Sequence, residues 1–220
     1  MACLFLTSAL AQAGEGLNTN KDRISYAVGM RLALEIQNKH SDRLDNAMIV
    51  RGINDIMEGK KPLLTEAEAD EAERSFLRSA QEDAVKKLKE IGEKNRKEGE
   101  TYLAKNKTKP GVQITASGLQ YEVIRAGNGS KPKASDTVKV HYRGTFIDGT
   151  EFDSSHKRKE PAVFPLKGVI PGWSEGVQLM TVGSQYRFVV PAALAYKTNG
   201  PGPIGPERTL IFEVELLEIL

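Results

Sequence analysis

Residues 138–155 read Val138-Lys139-Val140-His141-Tyr142-Arg143-Gly144-Thr145-Phe146-Ile147-Asp148-Gly149-Thr150-Glu151-Phe152-Asp153-Ser154-Ser155. Val138, Val140 and Tyr142 alternate with Lys139, His141 and Arg143, the period of two expected of a strand with one buried face. Asp148-Gly149, set between Phe146 and Phe152, is a hairpin signal. Downstream, Phe212, Val214 and Leu216 alternate with Glu213 and Glu215, a second strand of the same kind. Residues 186–190 and 119–124 are further strand candidates, and a short helix is predicted near 173–180. The carboxy-terminal half therefore reads as an antiparallel sheet wrapped on a short helix, with a concave face.

Working upstream, the composition changes at Thr108-Lys109-Pro110-Gly111, before which Pro62 is the only proline. Ile24, Ala27, Val28, Leu32 and Ile36 recur at three- and four-residue steps, as one helical stripe does. A second short helix is predicted from about Asp45, with Met48, Ile49, Ile53, Ile56 and Met57 inward and Gly59 ending it. Thr65 followed by Glu68 is a capping-box signature. From there a helix is predicted to about Asn106, a rod of roughly 60 Å at about 1.5 Å per residue. Phe76, Leu77, Ala80, Ala84, Leu88 and Ile91 form its apolar stripe, expected to pack. Beyond Ile91 the pattern turns polar, and Gly92 and Gly99 weaken it by roughly 1 kcal/mol each, so this part is expected to span water. The class is α+β: residues 14–64 a helical domain, 65–107 a connecting helix and 108–220 the sheet domain. Two short helices bury little alone. Either a compact three-helix bundle closes within one chain or, as we take for our hypothesis, a second copy completes the core.

The 220 residues carry a formal net charge of +2, with 40% hydrophobic and 27% charged residues. That balance excludes wholesale disorder and gives no strong field toward nucleic acid. Three histidines and one cysteine show no metal spacing, and no cofactor is implied. Residues 1–13 hold a short apolar run ending in Ala11-Gln12-Ala13, the small-x-small pattern of a signal-peptide cleavage site, although no Lys or Arg precedes it. Export is expected.

Val140-His141-Tyr142-Arg143-Gly144 and residues 148–155 together resemble the hallmark of the FKBP-type peptidyl-prolyl isomerases. Val169-Ile170-Pro171-Gly172-Trp173, Gly183, Ala195-Tyr196 and Thr209-Leu210-Ile211-Phe212 follow in the family's order. Residues 21–29, 106–112 and 203–206 are similar to its macrophage infectivity potentiator-like (Mip-like) branch. The resemblance implies a homodimer joined through the N-terminal helices and a location in the periplasm or on the outer surface of a Gram-negative bacterium. It also implies proline-containing unfolded polypeptides as substrates, and macrolide inhibitor binding. Carried over by motif, the catalytic pocket comprises Tyr142, Phe152, Asp153, Trp173, Tyr196 and Phe212, with Trp173 as floor. Arg158, as charged partner of Asp153, joins Val169, Ile170 and Ile204 in holding substrate, and the Ile170 amide and Tyr196 hydroxyl are the expected donors.

Such a site needs no nucleophile, because X–Pro rotation breaks no bond. The barrier of roughly 18–20 kcal/mol is amide resonance, and a dry pocket disfavours its charge-separated planar form. Departures from the family pattern are Ala162, where many relatives have an aromatic, Lys197, where glycine often follows the tyrosine, and a short loop over 197–208. Alternation turns His141 away from the pocket, and Phe164 and Phe188 read as core. The rival function is a dimeric holdase chaperone whose pocket serves mainly for client recognition.

Overall fold

The computed structural model describes residues 16–40 and 43–220. The leader expected in residues 1–13 lies outside them. The chain divides into two compact units, the first ending at Glu73 and the second running Arg74–Leu220.

The first unit holds α1 (Asn20–His40), α2 (Asn46–Met57) and the start of α3 (Glu66–Asn106). Its helices begin where side chains satisfy free amides. The Asp45 carboxylate accepts from the Ala47 and Met48 amides. Thr65 and Glu68 form the expected box: the Glu68 N–H donates to Thr65 Oγ1 at 3.3 Å and the Thr65 N–H to Glu68 Oε2 at 2.8 Å. Thr19 and Asp22 make the same reciprocal pair ahead of α1. No α2 side chain is buried. Ile24, Val28 and Leu32 of α1 and Met48, Ile53 and Ile56 of α2 are between 46% and 64% exposed. Within the first unit these helices therefore close no core of their own.

The second unit is built on a seven-stranded antiparallel sheet: β1 (Val112–Ile114), β2 (Gln120–Arg125), β3 (Thr137–Phe146), β4 (Glu151–Ser154), β5 (Ala162–Pro165), β6 (Gln185–Val190) and β7 (Leu210–Ile219). Its order is β1-β2-β6-β7-β3-β4, with β5 on the other half of β3's free edge. The inward sides of β3, β6 and β7, including Val138, Val140, Phe188, Val190, Val214 and Leu216, form the core. A one-turn helix, α4 (Ser155–Arg158), and α5 (Pro171–Leu179) complete the unit. α5 crosses the concave face at close range. A β-carbon at Gly172 would sit 2.5 Å from Val190 Cγ1 and one at Gly176 2.7 Å from Phe188 Cε1, so only glycine allows this approach.

The carboxy-terminal end of α3 does not span water. Gly92, Asn95, Gly99 and Asn106 are buried, and steps of three, four and seven put them on one face. That face lies against the chain preceding β7 and the start of β2. Asn95 Nδ2 donates to the Pro206 carbonyl at 2.7 Å. Asn106 Nδ2 donates to Gln120 Oε1, and Gln120 Nε2 to the Leu103 carbonyl, both at 3.0 Å. Small side chains permit the approach, and paired amides remove the penalty of burying polar groups. Of the apolar stripe, Phe76 and Ala80 are half-buried, while Leu77 and Leu88 are each more than half exposed.

Candidate active site

A cavity of about 440 Å³ opens between α5 and the concave face of the sheet. Its floor is Trp173, 4% exposed at the start of α5. Pro171 begins that helix at a position where no amide hydrogen is needed, which aims the indole inward. Three rings stand edge-on to it: Tyr142 at 5.3 Å, Phe164 at 5.5 Å and Phe212 at 5.3 Å between centroids, at interplanar angles of 88°, 82° and 87°. T-shaped pairs of this kind contribute about 0.5–1.5 kcal/mol each beyond area burial, so the floor is stiff. Phe152 packs edge-on against Phe212 at 5.7 Å. Trp173 Nε1 is buried without a hydrogen-bond partner among the described residues.

One wall is polar. Tyr142 comes from β3 and Asp153 from β4, while the single turn of α4, capped by Ser154, swings Arg158 back over them. The Tyr142 hydroxyl donates to Asp153 Oδ2. Arg158 donates to Asp153 Oδ1 at 2.5 Å and to the Tyr142 oxygen at 2.8 Å, with its guanidinium 5.5 Å above the Tyr142 ring. Burial pushes the Asp153 carboxyl upward, but the Tyr142 hydroxyl and Arg158 guanidinium outweigh it and hold the group below the usual carboxylate range. Burial, followed by the Asp153 hydrogen bond, raises the Tyr142 phenol. Burial, with Asp153 nearby, raises that of Tyr196. At neutral pH the wall is an ionised carboxylate balanced by a guanidinium, beside two neutral phenols.

Val169, Ile170, Tyr196 and Ile204 line the rest, with Phe164, Gly168, Pro201 and Pro203. Of the residues expected from sequence, Tyr142, Phe152, Asp153, Val169, Ile170, Trp173, Tyr196, Ile204 and Phe212 meet at this cavity. Arg158 stands behind Asp153 and reaches the site through it. The Tyr196 hydroxyl and the Ile170 amide meet no protein partner among the described residues, leaving two donors at the rim.

Two side chains, Phe164 and Ser155, were read otherwise or passed over in the sequence, whereas His141 was read as turned from the cavity. Phe164, read as core, is a cavity wall; it follows Ala162 on the same face of β5, so the wall is aromatic although Ala162 itself is small. Fully buried Ser155 accepts from the Tyr142 amide at 2.8 Å and contacts the Tyr142 carbonyl, tying α4 to β3. His141 lies outside the cavity, 3.0 Å from Ser155 Oγ and stacked on His156. Lys197 takes φ 53°, the left-handed conformation that glycine adopts without penalty.

Residues 128–217 match the family model described as FKBP-type peptidyl-prolyl cis-trans isomerase, and residues 21–123 match the model of the domain amino terminal to it. The chain is 45% identical to the FKBP-type peptidyl-prolyl cis-trans isomerase FkpA of Aeromonas hydrophila over 205 residues, spanning 90% of this chain and 76% of that protein. This chain belongs to the FKBP-type peptidyl-prolyl cis–trans isomerases. The isomerase is also 40% identical to the outer membrane protein MIP of Legionella longbeachae, over all of this chain and 94% of that one. The crystal structure of FkpA from Escherichia coli superposes with a TM-score of 0.76 at 36% identity, covering 92% of this chain and 97% of that chain. The α+β architecture, with N-terminal helices, a long helix and a sheet on a short helix, is thus shared with that solved structure.

Proposed function

We propose that the isomerase accelerates X–Pro rotation during folding of exported polypeptides, using the aromatic cavity as its prolyl site and working as a homodimer. The observation that carries the first part is the floor of Trp173 hemmed by three rings, in a cavity that Ile170 and Tyr196, with their unpartnered donors, also line. A prolyl ring on that floor leaves water. The planar amide is the more polar, resonance-stabilised form, so a dry surround raises it relative to the twisted one. The Ile170 N–H and Tyr196 O–H would hold flanking carbonyls while the bond turns, and Asp153, balanced by Arg158, would form a fixed wall that needs no reorganisation. No proton moves and no covalent intermediate forms.

The homodimer reading rests on α1 and α2. Leu32, Ala33, Ile36, Ile49, Val50 and Ile53 line an apolar groove of about 480 Å³ within the first unit, and exposed apolar patches of this kind mark interaction surfaces. A second copy would cover them, as the match to the amino-terminal family domain supports. Ile53→Asp should turn a dimer in sedimentation velocity into a monomer; a wild-type monomer at micromolar concentration sinks this part. An exported location, in the periplasm or on the outer surface, is supported by the likeness to an outer membrane protein and by the leader pattern in residues 1–13. Among the described residues no helix is long and apolar enough to cross a membrane.

The same exposed apolar side chains favour the holdase reading. Refolding of a proline-limited substrate, with light scattering followed in parallel, separates the two. Trp173→Ala and Asp153→Ala should slow the catalysed phase. If refolding keeps its rate in both variants and aggregation is still suppressed, holding is the main function and the cavity is not the working site.

A further inference from the structure

We infer that α3 is part of the catalytic machinery's support: Asn95, a positioning residue, fixes the loop that roofs the prolyl cavity. The loop is the segment 197–208. Its inner side contributes Pro201, Pro203 and Ile204 to the cavity, and Ile204 is only 7% exposed. At its base the Glu207 amide donates to the Lys197 carbonyl at 2.7 Å. Within it, the Ile204 amide donates to the Pro201 carbonyl at 3.1 Å. Lys197 and Glu207 both have positive φ, a backbone conformation that local preference does not hold for residues other than glycine.

What holds it lies behind. Asn95 is 5% exposed in the middle of a long helix, an uncommon place for a buried amide. Its Nδ2 donates to the carbonyl of Pro206, two residues beyond Ile204, and neither Asn95 nor Pro206 lines the cavity. One turn earlier, Gly92 leaves room for the Pro206 ring and Glu207 stem, which a β-carbon would meet at 3.5 Å. One turn later, Gly99 accommodates Thr209, the residue before β7. Asn95 is buried and Pro206 is half-buried, so without the Asn95 amide the Pro206 carbonyl would lose the hydrogen bond that ties it to the helix. A shift of Pro206 toward solvent would carry Ile204 off the cavity. The helix that looks like a spacer in sequence thereby sets the roof from about 110 residues away in the chain.

The inference rests on the cavity being the prolyl site, and the test separates the two. Full-length wild type, Asn95→Ala, Asn95→Asp and Trp173→Ala are compared by kcat and KM on an Ala-Pro peptide. Arg96→Ala, on the exposed side of the same turn, serves as control. Asn95→Ala should raise KM about fivefold with kcat nearly kept, the scale of one buried hydrogen bond. Asn95→Asp, which keeps the shape but offers an acceptor to an acceptor, should raise it at least as much. Arg96→Ala should match wild type. Unchanged KM in both Asn95 variants, while Trp173→Ala is inactive, overturns the brace and leaves the site reading standing. If Trp173→Ala is fully active, the site reading itself fails. Should Asn95→Ala not fold, the isosteric Asn95→Asp decides by the same criterion. A fall in melting temperature without a KM change assigns Asn95 to fold stability alone and also overturns the inference.

Discussion

Replacing glycine by alanine inside a helix ordinarily stabilises it by roughly 1 kcal/mol. Two such changes on α3, seven residues apart, should have opposite outcomes here. At Gly92 the new methyl would meet Pro206 and Glu207 side-chain carbons at 3.5 Å, ordinary van der Waals contact. Gly92→Ala therefore keeps the propensity gain and should stabilise by up to about 1 kcal/mol. At Gly99 the methyl would overlap the Thr209 hydroxyl and lie 3.1 Å from Thr209 Cβ. Thr209 is 5% exposed, β-branched and adjacent to β7, so it has few rotamers to escape into. Overpacking of this kind destabilises by about 1–3 kcal/mol. Set against the propensity gain, Gly99→Ala should be neutral at best and destabilised by up to about 2 kcal/mol. The only tryptophan, Trp173, lies in the same unit, so urea unfolding followed by its fluorescence reads that unit without the N-terminal helices. The two variants should bracket the wild-type midpoint, Gly92→Ala above and Gly99→Ala below. Equal stabilisation by both would mean that α3 is not seated on β7, and the reasoning about its buried face would be wrong.

Two further outcomes follow from the site and its loop. Arg158→Leu removes the ion pair that helps hold the Asp153 carboxyl down. Both side chains are more than 40% exposed, so the loss at neutral pH should be below about 1 kcal/mol. Because the folded carboxyl is depressed, the pair stabilises fully above the unfolded value near 4 and loses that contribution as pH falls through the lower folded value. Urea midpoints of wild type and variant should differ at pH 7 and converge in acid as pH falls through the lowered folded value; a constant difference would mean that Asp153 is not the linked group. Lys197→Gly relieves the left-handed backbone at φ 53°. After the entropy that glycine adds to the unfolded chain, a net gain of roughly 0–1 kcal/mol is expected in thermal melts. A loss above about 1 kcal/mol would show that the lysine side chain contributes contacts of its own.

The strands with strong alternation, β3 and β7, were legible because each buries one face of a sheet and the pattern repeats over several residues. β1 and β5 were not, being three and four residues long, the latter ending in proline. For the same reason Phe164 passed for core: without β5, nothing put it beside Trp173. Apart from Phe164 on β5, the cavity residues, spread over β3, β4, α5, β7 and two loops, were recoverable only as a set of family-like motifs, since no local period links Tyr142 to Phe212. The docking face of α3 was invisible for a different reason. Periodicity is sought among large apolar residues, whereas this face is Gly92, Asn95, Gly99 and Asn106. Small residues and paired amides read as a weak, solvated helix until the surface they meet is known.

The central claim is that the Trp173 cavity is where the prolyl bond turns. NMR exchange spectroscopy on an Ala-Pro peptide, with catalytic amounts of protein, measures that rotation directly and needs no coupling enzyme. Wild type should raise the cis–trans exchange rate. Trp173→Ala, with its fold verified by circular dichroism, should lower kcat/KM by at least about tenfold, or 1.4 kcal/mol of transition-state stabilisation. A folded Trp173→Ala protein that isomerises the peptide as fast as wild type would contradict the account.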